Sequence, residues 1–153
     1  MKIRKAEKED CNKISQLMKN DLSNPPREFS ENFLEKFKEH AKEENLLEEL
    51  NNPNLIGFVA ITDEEIVGFI VGYLESIEYA TIHYINGRTK LIKNDLLREF
   101  ISHCKNKNLD YILADSFEFM ENDSILESEG FTLEKEEEID NSLIMFWRKL
   151  ILK

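Results

Sequence analysis

The sequence predicts an α/β (α+β) fold: a mixed central sheet of about six to seven strands flanked by about four helices. Three observations lead there. Three apolar runs rich in Val, Ile, Phe and Tyr follow one another in mid-chain, "LIGFVAI", "IVGFIVGYLE" and "EYATIHYI". A long helical stripe, Ile92, Leu96, Leu97, Phe100, Ile101 and Cys104, separates them from a fourth run, "LDYILAD". Two more strand-like runs, "FTLEKEEEI" and "SLIMFWRKL", follow in the last part of the chain.

The first element is a short strand, "KIRKAE". Asp10 is placed to cap a helix from about Cys11 to Leu22, whose residues Ile14, Leu17, Met18 and Leu22 share a face. "SNPPRE" breaks it, because proline lacks an amide hydrogen and restricts the residue before it. Ser30 caps a second helix carrying Phe33, Leu34, Phe37 and Ala41. Leu46, Leu47 and Leu50 either continue that helix or begin a short extra turn, and "NNPN" ends it.

The first two mid-chain runs flank "TDEE", a hairpin turn, and the third completes a meander. The apolar second run reads as a central strand. Residues 78–115 form a strand–helix–strand unit, and a right-handed crossover makes its two strands parallel. A short helix over about Asn122–Glu129 stops at Gly130, a residue suited to a left-handed cap. The last two runs close as a hairpin over "DNS", with "EKEEE" on a solvated edge or face.

The chain has 153 residues, which predicts a single domain over 1–153. With 41% hydrophobic and 10% aromatic residues the composition is globular. No apolar run approaches the roughly 20 residues of a membrane span, so no membrane partner is expected. The charged start "MKIRKAEKEDCNK" lacks an apolar signal core, and a cytoplasmic protein is the expectation. A net charge of −11 argues against nucleic acid, whose binders need cations to displace counterions. Cys11 and Cys104 lie on apolar helix faces and read as buried structural thiols. They share no ligand spacing with His40, His83 or His103, so no metal is expected.

"NGRTKLIKNDLL" (86–97) runs from a strand into the striped helix with three cations and no acid in its first eight residues. A helix start offers unpaired N–H groups and partial positive charge, which suit phosphate. The plain alternative is a solvated basic helix start. Such loops usually use glycine to let phosphate approach, and here Leu91 and Lys93 are bulky.

The order strand, two helices, three-strand meander, helix, strand, short helix, two strands resembles the GNAT superfamily of acyl-CoA-dependent N-acyltransferases. "IRKAEKEDCNKISQLM" looks like that family's first strand and helix, and "EEIVGFIVGYLE" like its central strands. "SILESEGF" looks like the end of its short helix, where Gly130-Phe131 match a common Gly-Phe pair. The family motif Arg/Gln-x-x-Gly-x-Gly/Ala falls on "RTKLIK". Arg88 matches it, and Leu91 and Lys93 occupy the small-residue positions.

The resemblance implies acetyl-CoA as cosubstrate, held by Arg88, Thr89, Lys90, Leu91, Ile92 and Lys93. An inward Leu91 would leave the amides free, and an outward one would stand in the path of approach. The resemblance implies a small-molecule amine or basic peptide as acceptor, and makes a homodimer plausible. Its usual acid, a tyrosine four residues before the Gly, is Leu126 here. Phe119 holds the place of an expected Asn, with Asn122 three residues on. Water or a nearby hydroxyl is the expected substitute, with Ser124 and Tyr111 as candidates.

For the base, Glu75, Glu78 and His83 lie on or beside the strands lining the family's acceptor cleft. Glu75 ends an apolar strand, where a carboxylate can be held partly dry. His83 alternates with Ile82 and Tyr84 and so faces away from both. Each also reads simply as a solvated strand end or sheet residue. Tyr73, Tyr79 and Tyr84 read as sheet packing, and Met145, Phe146 and Trp147 as core with one exposed neighbour. The expected function is N-acetyl transfer from acetyl-CoA to an amine. The alternative is a non-catalytic module on the same scaffold, binding another anion or a protein partner.

Overall fold

A computed structural model gives the structure of residues 1–25, 29–117, 122–140 and 143–153. Positions 26–28 of the expected break, Phe119, and Asn141 and Ser142 of the expected last turn lie outside the described residues.

The chain runs β1 (Lys2–Lys5), α1 (Cys11–Asp21), α2 (Glu31–His40), α3 (Glu43–Leu50), β2 (Leu55–Thr62), β3 (Glu65–Leu74) and β4 (Tyr79–Gly87). It continues α4 (Lys90–Asn106), β5 (Tyr111–Phe117), α5 (Asn122–Ser128), β6 (Thr132–Asp140) and β7 (Leu143–Ile151). One seven-stranded sheet takes the order β1-β2-β3-β4-β5-β7-β6. Its pairs are antiparallel except β4 with β5, which the α4 crossover makes parallel.

Among the described residues there are five α-helices, in keeping with the expected architecture, the stretch with Leu46, Leu47 and Leu50 forming its own short helix. The expected second helix divides after His40. Ala41 is fully buried, Lys42 is extended (ψ 136°), and Asn45 donates to the Glu39 carbonyl across the break. Ser30 caps α2 by accepting from the Phe33 amide at 3.1 Å. Asp10 behaves differently from expectation. Its carboxylate makes no cap bond to α1 and instead turns back to the Glu7 amide (2.7 Å) and the Arg4 guanidinium (2.7 and 2.9 Å).

Each sheet face has its own core. On one lies α4, burying Leu96, Leu97, Phe100, Ile101 and Cys104, each larger apolar side chain worth about 1.5–3 kcal/mol. Gly72 lets it approach: a Cβ there would fall 2.7 Å from the Phe100 ring and 2.0 Å from the Thr81 carbonyl. On the other face α1 and α3 pack Cys11, Ile14, Met18 and Leu46 on Val59, Ile66 and Phe69. Both cysteines are buried free thiols, as expected, and burial raises them to about 11 (Cys11) and about 12 (Cys104).

The β2–β3 turn is a two-residue hairpin with Asp63 and Glu64 at positive φ (51° and 62°). Gly130 caps α5 at φ 95°, and the Phe131 amide bonds the Leu126 carbonyl. The acidic run lies on β6, an edge strand, with Glu134, Glu136, Glu137 and Glu138 on the surface or only partly covered. On β7 the buried positions are Leu143 and Arg148, while Met145, Phe146 and Trp147 are half-buried, a correction to the core reading of that strand.

Candidate active site

The parallel ladder of β4 and β5 holds four pairs and ends at Ile82–Ala114. Beyond it β4 continues to Gly87 on β3 and β5 to Phe117 on β7 without pairing to each other, so the sheet opens into a V. A register shift in the β3–β4 pair, where Gly72 faces Ile82 but Val71 faces Tyr84, leaves His83 as an extra residue. Such a bulge bends its strand and re-aims side chains.

The bulge overturns one expectation. Ile82 and Tyr84 were to share a face, with His83 opposite. Instead Ile82 packs in the α4 core while Tyr84 stacks on Phe69 (5.3 Å) in the α1 core. His83 lies on the Tyr84 side, edge-on to Tyr73.

There it joins a polar cluster. Thr81 Oγ1 donates to Glu75 Oε1 at 2.6 Å and lies 2.9 Å from His83 Nε2. Thr81 has a single proton, given to Glu75, so its oxygen accepts from Nε2–H. The basic lone pair of the neutral ring then sits on Nδ1. Nδ1 faces Asp115 Oδ2 across 4.0 Å, too long for a hydrogen bond. Burial raises the Asp115 carboxyl from 3.8 to about 6, against the pull of His83.

Glu75 and His83 are therefore brought together. Glu78 lies apart, exposed in the turn before β4, where its carbonyl accepts the Asp110 amide at 2.7 Å. Asp115 and Thr81 were missed. The available signal was an acid at the C-terminal end of an apolar parallel strand, where α/β sheets commonly bind ligands. Of the substitute donors, Tyr111 stacks on Tyr79 at the paired end of the ladder, away from the V, and Ser124 is exposed on α5. Leu126 is buried in the α4-side core.

Two hollows meet at this cluster. The V itself is small, about 30 Å³, between Ile85, Ser116, Asn122 and Leu126. A cleft of about 480 Å³ lies under α2 and α3. His83, Tyr84, Asp115, Phe117 and Phe37 line both. Tyr84 is pinned by donating to Asp21 of α1 at 2.5 Å, and Asn86 donates to the same carboxylate at 2.8 Å.

The start of α4 borders the V. Thr89 caps it, its hydroxyl accepting from the Ile92 amide at 3.2 Å, and the Lys93 amide makes the first intrahelical bond, to Thr89. The amides of Lys90 and Leu91 precede that bond, as helix starts require. Lys93 Nζ donates to Asn122 Oδ1 at 3.1 Å, crossing from α4 to α5. A Cβ on Gly87 would fall 2.9 Å from Lys93 Cγ, so the glycine gives that side chain its room. Leu91 points outward, 66% exposed, while Ile92 packs on the core. Arg88 pairs with Glu65 at 3.2 Å, and both are about half exposed. The unpaired amides, the lysines and the V fit an acyl-CoA, with Leu91 narrowing the approach.

On β7, Arg148 is buried beside the V. It donates to Ser116 (3.1 Å), Asp123 (2.6 Å) and Glu127 (3.3 Å), and so ties α5 to the sheet. No group of three His, Cys, Asp or Glu among the described residues is placed to hold a metal ion. No helix among them is long and apolar enough to cross a membrane.

The fold is that of the GNAT acetyltransferases. The paia N-acetyltransferase of Thermoplasma acidophilum, solved with coenzyme A, superposes with a TM-score of 0.78 at 21% identity, over 97% of this chain and 98% of that one. A putative GNAT-family acetyltransferase of Desulfovibrio desulfuricans superposes at 0.74 with 12% identity, over 99% of each chain. Aminoglycoside 6'-acetyltransferase type Ii gives 0.77 at 16% identity, over 100% of this chain and 98% of that one. No family model matches the sequence, and no curated protein matches it.

Proposed function

We propose that residues 1–153 act as one GNAT-like domain that transfers an acyl group, with acetyl as the working case, from coenzyme A to an amine. The observation that carries this is the end of the β4–β5 ladder at Ile82–Ala114. It places an opening between parallel strands directly beside a histidine–aspartate pair and a basic helix start.

The thioester supplies an activated acyl carbon. Lys93, Lys90 and the free amides of α4 bind the diphosphate, with Arg88 nearby. N–H groups of β4 past Ile82, freed from the ladder, polarise the acyl carbonyl. Amine and acyl carbon meet where the two hollows join. His83 Nδ1 and Asp115 face that point and take the proton from the ammonium. Glu75 acts through Thr81 to hold the histidine tautomer. The new C–N bond replaces the C–S bond, and the thiolate leaves to be protonated by water, since Leu126 offers no acid.

Titration of the protein with acetyl-CoA by calorimetry is the test. Saturable binding is expected, and no heat at millimolar cofactor rejects the reading. Lys93→Glu should weaken binding about tenfold, by loss of one charged hydrogen bond. The outward Leu91 and buried Leu126 favour a second reading, a non-catalytic module. Tight binding of CoA with no transfer to any amine would establish it.

A further inference from the structure

The 480 Å³ cleft falls within the roughly 300–1,000 Å³ typical of small-molecule sites, and its walls are rich in aromatic rings. Six aromatic side chains line it: Phe33 and Phe37 of α2, Phe69, Tyr73, Tyr84 and Phe117 of the sheet. They form a connected set. Phe33 meets Phe117 edge-on at 5.4 Å, Phe37 meets Tyr84 at 5.6 Å, and Tyr84 stacks on Phe69. Among the described residues only two carboxylates line the same space, Glu49 and Asp115. Glu49 is engaged by the Tyr73 hydroxyl and lies 3.9 Å from His40. Asp115 sits at the inner end, where the cleft joins the V.

The glutamates of α2 and α3 other than Glu49 do not line the cleft. The run of glutamates is on β6, two strands beyond β5. A polycation, whether polyamine, aminoglycoside or basic peptide, would find two carboxylates, Glu49 already engaged by Tyr73 and beside His40, on walls otherwise largely apolar and aromatic. Desolvating its other ammonium groups against those rings would be costly.

We infer that the acceptor is a primary arylalkylamine: one ammonium on a short arm, carried by a flat apolar ring. The inference rests on the acyl-transfer reading. The ring lies between Phe33, Phe37 and Tyr84, where edge-to-face and stacked contacts are favourable. The ammonium reaches the 4.0 Å gap between His83 Nδ1 and Asp115 and bridges both. Its nitrogen is thereby set at the mouth of the V.

Direct calorimetry with 2-phenylethylamine, tryptamine, spermidine and kanamycin tests this with or without CoA. Each aryl amine should bind about tenfold or more tightly than spermidine or kanamycin, as one or two ring contacts would give. In the thiol-release assay with acetyl-CoA the aryl amines should show the higher kcat/KM. Phe33→Leu keeps apolar bulk and removes a ring. It should weaken 2-phenylethylamine several-fold and leave spermidine unchanged. Spermidine or kanamycin binding as tightly as the aryl amines, or Phe33→Leu weakening all amines alike, overturns the inference. A protein that binds the aryl amines but not acetyl-CoA defeats the acyl-transfer reading instead, so the two failures are separate.

Discussion

At neutral pH Asp115 holds its charge at a strand end where burial opposes it. The sign of the consequence follows from the raised carboxyl. In the unfolded chain it titrates near 3.8, and in the folded chain near 6. Between those values the folded state holds the extra proton. Stability therefore falls as pH rises through that window and stays lower above it. Asp115→Asn should be more stable than the parent at pH 7.5 by about 3 kcal/mol, and close to it at pH 3.5. Urea titrations at both pH values measure this, and an asparagine variant less stable at pH 7.5 would contradict it. The same variant should lower kcat by about 10²–10⁴, as loss of a general base does. In the parent, kcat should fall as pH drops below about 6 and Asp115 takes up its proton. Glu75 was legible as a candidate because a carboxylate ending an apolar strand stands out, and His83 because the resemblance puts its strand beside the acceptor cleft. The direction His83 faces was not legible. It depends on one extra residue in the β3–β4 register, and alternation in sequence carries no mark of a bulge.

Among the elements, β1 and α1 are joined by a clip that sequence reading had assigned to a helix cap. Burial alone would raise Asp10, but the Arg4 guanidinium and the Glu7 amide outweigh it and hold the carboxyl below its usual value. Its contribution is thus present above the ordinary carboxylate range and lost as pH falls through the lowered value. Asp10→Ala should cost about 2–4 kcal/mol in chemical denaturation at pH 7, since it strands a partly buried arginine. Gly72→Ala drives a methyl into the Phe100 ring and the Thr81 carbonyl, and should cost about 3 kcal/mol or more by the same measurement. At the start of α4, Leu91→Gly should tighten acetyl-CoA binding several-fold by clearing the approach. Element types and the crossover were readable from periodicity and turn residues. A separate turn at Leu46, Leu47 and Leu50 was one of two open readings, but the position of the α2–α3 break was not legible, because Ala41 and Lys42 are ordinary helix formers overridden by packing.

For the molecule as a whole, charge and edges belong together. An antiparallel pairing of two β6 strands would oppose Glu136 and Glu138 to like charges. Light scattering at low ionic strength and pH 7.5 should therefore show no association through this edge. Glu136→Thr with Glu138→Thr should promote it. The meander, the parallel β4–β5 pair and the closing hairpin were legible from turns and one right-handed crossover, whereas the places of β1 beside β2 and of β7 between β5 and β6 were not. The opening between β4 and β5 was not, because nothing in either strand's composition marks where their ladder stops.

That brief parallel ladder makes the sheet two plates joined along a narrow seam: β1 to β4 on one side, β5 to β7 on the other. His83 rides on the first plate and Asp115 on the second. The separation of the proton-accepting pair is accordingly a gauge of how far the plates stand apart. Anything wedged into the seam changes that separation, and with it the pull of His83 on the Asp115 carboxyl.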